Sequence, residues 1–238
     1  MAGHSKWSQI KHKKAKEDSK RGKLFTKLIK EITIAARMGG GDPAGNARLR
    51  LLLEKAKEIN MPQDNSVRAI KRGTSEIPGQ SYESYMYEGY GPGNIALIVE
   101  VLTDNKNRAI AEMRTTFTRK GGIVAQAGAV SWLFGKFGVI RIPSSAATEE
   151  ALLELLIDHE ITDINSEDNV TTITCDLIAI EDIKQILSEK KIKIESAEIE
   201  WVPQSTIEVS ADNEEKAYEF LQALEDLDDV QNVYTNLG

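Results

Sequence analysis

Hydrophobic positions at helical spacing begin at Leu24. Leu24, Leu28, Ile32 and Ala35 recur every three or four residues, and Phe25, Ile29 and Ala36 widen the stripe. Gly39-Gly40-Gly41 stops that helix, and Asp42-Pro43 reads as the next start, an N-cap followed by proline in the first turn. Leu49, Leu52, Leu53, Ala56 and Ile59 give the second helix its apolar face, and Pro62 ends it. A shorter helix over Ser66 to Arg72 closes at Gly73. Ile77-Pro78-Gly79 reads as a linker.

The period then changes. Ile95 to Thr103 is dense in strand formers, Asn105 to Lys120 is amphipathic through Ile110, Met113 and Phe117, and Ala129 to Phe134 reads as a strand. At the far end Thr206 to Ser210 reads as strand, Asn213 to Leu227 as helix and Val230 to Thr235 as strand. Between them lies a complete βαββαβ pattern. It comprises a strand over Phe137 to Ile142, a helix capped by Thr148, a hairpin of Ile161 to Asn165 with Val170 to Cys175, a helix through Ile183, Ile186 and Leu187, and a strand over Ile194 to Val202. That is the ferredoxin-like order. Its first and last strands begin and end at one edge of the sheet, so such a unit can be inserted into a host across a short gap.

The expected fold is therefore α+β and multidomain: an N-terminal three-helix domain followed by two ferredoxin-like α+β domains, one inserted in the other. The expected division is 1–78 for a basic arm with the helical domain, 79–134 with 204–238 for a discontinuous α+β domain, and 135–203 for the inserted acidic domain.

Charge sharpens this division. The chain has 238 residues and a net charge of −7. Residues 1–78 hold 18 Lys and Arg against 8 Asp and Glu; residues 143–238 hold 5 against 24. The balance is thus +10 at one end and −19 at the other, a split that suits a polyanion at the N-terminal end. No run of apolar residues is long enough for a membrane span, the start lacks the apolar core of a secretory signal, and one cysteine, Cys175, forms no internal disulfide framework. A cytoplasmic location is the expectation.

The strongest chemical signal is the arm. Lys6, Lys11, Lys13, Lys14, Lys16, Lys20, Arg21 and Lys23 place eight cations in eighteen positions, with His4, Trp7 and His12 among them. Cations neutralise phosphates and release counterions, and a ring such as Trp7 can stack on a base or pack beneath the arm. Arg48, Arg50, Arg68, Lys71 and Arg72 on the following helices would turn the tail into a groove if they share its face. Taken singly, each reads as an ordinary solvent-exposed charge.

Other features carry less. His4, His12 and His159 lack metal-ligand spacing, and no metal or cofactor is expected. The segment Tyr82 to Asn94 holds four tyrosines beside Gly91-Pro92-Gly93, which reads either as a stacking platform or as an edge strand with a tight turn. Phosphate-loop, nucleophile-elbow and zinc-protease motifs are missing, so no catalytic set is expected. The acidic run Glu225-Asp226-Leu227-Asp228-Asp229 reads as solvated surface or as a hold for a basic partner.

Several segments together carry a family resemblance. Met1-Ala2-Gly3-His4-Ser5-Lys6-Trp7, Ile10-Lys11-His12-Lys13, Lys20-Arg21-Gly22-Lys23, Phe25-Thr26-Lys27-Leu28, Gly39 to Pro43, Asn60-Met61-Pro62, Arg68-Ala69-Ile70-Lys71, Tyr87 to Gly93 and Leu102 to Arg108 resemble the YebC family of transcriptional regulators. The chain departs from that pattern at Ala47, where the family tends to proline, at Asn94, where it tends to glycine, and across Ile123 to Gln126. The resemblance implies a non-catalytic cytoplasmic protein of three domains that binds nucleic acid. DNA-binding regulation of transcription and ribosome-associated or mitochondrial translational activation are both described for such proteins, so DNA and RNA stay open as ligands. A protein partner at the acidic domains, and no membrane, complete the expectation.

Overall fold

The structure is a computed structural model describing Trp7 and residues 21–78, 81–167 and 169–238. It divides into two compact units. Leu133–Thr206 belong to one; the described residues up to Trp132 and Ile207–Gly238 belong to the other.

Three helices open the second of these: α1 (Arg21–Gly39), α2 (Ala47–Glu58) and α3 (Gln63–Gly73). Their apolar stripes meet in a small core of Leu28, Ile32, Ala35, Leu49, Leu52, Ala56, Met61 and Ala69. Each fully buried Leu, Ile or Met side chain contributes about 1.5–3 kcal/mol. The second helix starts later than Asp42-Pro43 suggests. Asn46 is its N-cap, accepting from Leu49 N at 3.0 Å while donating to Ala35 O and Gly40 O, so it caps one helix and ties it to α1. Asp42 to Gly45 form a turn instead. Ala47 then occupies the first helical position, where proline and alanine are both accommodated. The α1–α3 crossing depends on Gly73, where a Cβ would lie 2.4 Å from Thr33 O and 2.7 Å from Ala36 Cβ.

The same unit continues with β1 (Glu83–Tyr90), β2 (Ala96–Thr103), α4 (Lys106–Arg119) and β3 (Ile123–Val124). After the insertion it resumes with a second helix and a last strand, α7 (Ala211–Glu225) and β8 (Val230–Thr235). The sheet order is β3-β1-β2-β8, antiparallel throughout. Leu97, Val99 and Val101 of β2 pack with Met113 and Phe117 of α4 and with Phe220, Leu221 and Leu224 of α7. The Phe117 and Phe220 rings meet edge to face at 5.0 Å.

Two strand expectations are corrected here. Thr206 to Ser210 is not a strand; Ile207 makes a single parallel bridge to Leu237. Ala129 to Phe134 contains a 3-10 turn, Ser131–Leu133, and the strand begins only at Phe134. The sheet slot between β2 and β3 is filled from upstream by β1, whose full length pairs with β2 from Glu83↔Thr103 to Tyr90↔Ala96. The turn joining them carries Gly93 at φ 74° and Asn94 at φ 61°, and asparagine tolerates that left-handed backbone better than most residues. The glycines around Pro92 serve this hairpin.

Glu88 on β1 fixes the segment after β3. Its buried carboxylate accepts from Gly128 N at 2.7 Å, Val130 N at 2.6 Å and Ser131 N at 2.9 Å. Burial pushes its pKa up, but these backbone hydrogen bonds prevail and hold it below the ordinary glutamate value. Glu88→Ala leaves three amides without their acceptor and is expected to cost about 3 kcal/mol. Urea denaturation should show a lower midpoint with an unchanged slope.

The inserted unit runs β4 (Phe134–Pro143), α5 (Glu149–Leu156), β5 (Ile161–Glu167), β6 (Val170–Cys175), α6 (Ile180–Glu189) and β7 (Ser196–Pro203). Its order, β5-β6-β4-β7, is antiparallel and is the ferredoxin-like arrangement read from the sequence. Both helices lie over one face on Ile140, Ile142, Ile173 and Cys175. On the opposite face Arg141 meets Glu200 in a buried bidentate pair, at 2.6 and 2.9 Å.

Candidate nucleic-acid interface

Helix α3 turns one side to the core and the other to solvent. Ser66, Ala69 and Gly73 face inward, which leaves Val67, Arg68, Lys71 and Arg72 on the exposed side. Asp64 in the first turn and Lys71 with Arg72 in the last complement the helix dipole. Arg68 is held along its own helix, donating to Asp64 O at 3.3 Å and Asn65 Oδ1 at 3.0 Å. The crossing at Gly73 brings the end of α1 alongside. Exposed Arg37 donates there to Ser81 Oγ at 2.9 Å and Tyr82 O at 3.3 Å. Burial raises the Tyr82 hydroxyl pKa, helped by Asp104, while the nearby Arg72 charge opposes it. Arg37 and Arg72 therefore both stand close to Tyr82, and with Lys71 they make an exposed cationic corner. Sequence reading missed Arg37, whose only signal was a basic residue in the last turn of a helix.

The remaining cations fall elsewhere. On α2, Arg48 is exposed, whereas Arg50 is half-buried and donates to Pro43 O at 3.2 Å. Lys23 donates to Asp226 O at 3.0 Å, so its ammonium is engaged at the end of α7. It heads a stripe along α1: Lys27 donates to Glu225 O at 2.7 Å, and Lys30 reaches Asp228 O and Asp229 Oδ1 at 2.9 and 2.8 Å. The acidic run at 225–229 is thus held in part by the protein's own lysines. Asp229 also accepts from Thr103 Oγ1 at 2.9 Å and Arg108 Nη2 at 2.8 Å. Burial pushes its pKa up, yet the donors Lys30, Arg108 and Thr103 bring it below the ordinary aspartate value.

Trp7 requires a correction. Its side chain is 2% exposed and packs in the core of the larger unit, stacked on Tyr218 with ring centroids 6.2 Å apart. A ring so enclosed is closed to base stacking, and it packs against Tyr218 of α7, not in the core of the three N-terminal helices. His4, Lys6, Lys11, His12, Lys13, Lys14, Lys16 and Lys20 lie outside the described residues, as does the side chain of Arg21.

The tyrosines of 82–94 are engaged structurally. Lys30 sits over the Tyr82 ring at 5.7 Å and Lys106 over Tyr85 at 4.7 Å. The Tyr85 hydroxyl bonds the Glu83 carboxylate, and the Tyr90 hydroxyl reaches Ala129 O at 3.4 Å. Cys175 is buried, which pushes its thiol pKa up to about 11, Asp176 adding to the effect. Among the described residues no group of three or more His, Cys, Asp or Glu could hold a metal ion, and no helix is long and apolar enough to cross a membrane.

Two family models match, one described as the TACO1/YebC protein N-terminal domain over residues 5–76 and the other as the TACO1/YebC second and third domain over residues 82–237. The chain belongs to the TACO1/YebC family. Among its relatives is the "Probable transcriptional regulatory protein CT1665" of Chlorobaculum tepidum, 50% identical over all of this chain and 95% of the relative. A "Probable transcriptional regulatory protein" of Chloroherpeton thalassium is 52% identical over the same shares. The crystal structure of a conserved hypothetical protein, Aq1575, from Aquifex aeolicus is similar at a TM-score of 0.89 and 44% identity, covering 98% of this chain and 97% of that one. Relatives within the family are thus named as regulators, and the α+β architecture agrees with a solved fold.

Proposed function

We propose that this TACO1/YebC protein is a non-catalytic, cytoplasmic, nucleic-acid-binding regulator of gene expression. In this reading residues 1–78 hold the phosphate backbone. The discontinuous domain of 79–134 with 204–238, and the inserted domain of 135–203, position that grip and meet a protein partner. The observation that carries it is the cationic corner of Arg37, Lys71 and Arg72, with Arg68 and Arg48 also exposed, on the segment that continues from the Lys-rich arm. His4, Lys6, Lys11, His12, Lys13, Lys14, Lys16, Lys20, Arg21 and Lys23 extend the same footprint. Transcriptional regulation through DNA takes support from the names of the relatives.

A second reading is translation, with the arm in structured RNA. It is favoured by the character of α3, whose exposed side holds Gln63, Asp64 and Val67 beside the cations Arg68, Lys71 and Arg72, with Arg68 tied to its own helix. Such a surface suits backbone and shape recognition over base reading. The test uses Lys13→Glu with Lys14→Glu. If the arm grips phosphates, binding to DNA and RNA weakens alike; unchanged affinity for both overturns the proposal. Pelleting ribosomes through a high-magnesium cushion separates the readings. Cosedimentation lost in the variant supports translation, and no cosedimentation alongside a promoter footprint supports transcription.

A further inference from the structure

The inserted unit carries an apolar patch that its own core does not use. On α5, Leu153 and the following Ile157 lie one turn apart on the outward face, and Ile157 is 75% exposed. After β6, Leu177 and Ile178 precede α6, and Ile178 is 79% exposed. The fold brings these two pairs to one end of the helical layer. Ile161 pairs with Cys175, Asp176 N donates to Glu160 O at 3.0 Å, and Leu152, Leu156, Ala179 and Ile180 share one core beneath. Single exposed aliphatics are ordinary, but four gathered at one end of a small unit mark an interaction surface.

The rim of the patch identifies the occupant. Glu150, Glu154 and Asp158 follow the same outward face of α5, and exposed Glu160, Asp176 and Asp182 border the other side. Lys184, the nearest lysine along α6, is already paired with Glu181 at 3.1 Å. An apolar centre ringed by carboxylates complements a segment with aliphatic residues on one side and lysine or arginine on the other. We infer that this end of the inserted unit docks a basic amphipathic helix of a protein partner. The inference deepens the partner role proposed above and is independent of the nucleic-acid grip.

The test titrates the full chain with a fluorescein-labelled helical peptide of leucine and lysine at amphipathic spacing, read by anisotropy at physiological salt. A scrambled peptide of the same composition serves as control. Saturable binding is expected, weakened at least about tenfold by scrambling and by Ile157→Ser with Ile178→Ser. Glu154→Lys with Asp158→Lys should weaken it comparably. Equal binding of both peptides, or binding indifferent to the isoleucine changes, overturns the inference by reducing the site to bulk charge. Because both isoleucines are mostly exposed, the thermal midpoint should hold; if it falls, Leu153→Gln with Leu177→Gln repeats the measurement. Nucleic-acid affinity of the isoleucine variant should stay unchanged, and a loss there would reassign the patch to nucleic acid.

Discussion

Replacing Asp229 by alanine is expected to destabilise the larger unit by about 3–5 kcal/mol, because it leaves the buried Lys30 ammonium with main-chain carbonyls and no counter-charge. Lys30 is 7% exposed and reaches this carboxylate at 2.8 Å; Arg108 and Thr103 share it. The pair joins the helical segment to the end of the chain, so its loss should loosen both. Lys30→Met alone also leaves a charge with one partner fewer. The double variant removes both buried charges and should recover part of the stability, a coupling that a double-mutant cycle measures. If Asp229→Ala costs less than about 1 kcal/mol, the buried-pair account fails. The pH dependence follows from the direction of the shift. The folded pKa of Asp229 lies below its unfolded value, so its contribution is complete above the unfolded value and is lost as pH falls through the folded one. Glu88 behaves in the same sense. Acid unfolding should therefore steepen below about pH 4, and Asp229→Asn should flatten that limb.

The second large effect concerns binding. Reversing Arg68, Lys71 and Arg72 together to glutamate should weaken association with any nucleic acid by a hundredfold or more, about 3 kcal/mol. All three are exposed and none joins a core, so the thermal midpoint should change little. If about six phosphates are neutralised by the intact chain, log affinity falls with log salt at a slope near −5. Losing three contacts should bring the slope to roughly −2.5. A slope that stays put while affinity drops would mean that these residues act through folding and not through phosphates.

Much of the architecture was legible because burial and period agreed. The α1 stripe from Leu24 to Ala36 lies within Arg21–Gly39, and the ferredoxin-like insertion follows its alternation and the Thr148 cap closely. The upstream strand β1 was harder. Tyr82 to Gly91 lacks clean alternation, and its place is set by pairing with β2 and by Glu88 reaching amides forty residues on. Thr206 to Val209 has strand-forming residues, yet the slot it would take is already occupied. Of the candidate site, the charge asymmetry was plain in composition. The engagement of Lys23 was not, because its acceptor lies 203 residues away and is a main-chain carbonyl, which no residue type advertises. Trp7 was likewise ambiguous, since a ring among lysines suits a ligand or a core equally well.

The sheet of the larger unit closes only with β8, where Leu97 pairs with Thr235 and Val99 with Val233. Synthesis delivers that strand last. On a ribosome β2 emerges with one long edge unpaired, and Lys30 emerges long before Asp229. The insertion holds all four of its strands within Leu133–Thr206 and can complete its own sheet while the flanking one is still open. The nascent protein thus passes through a stage with a finished acidic insertion and an unfinished, edge-exposed host, the stage most vulnerable to aggregation and to proteolysis.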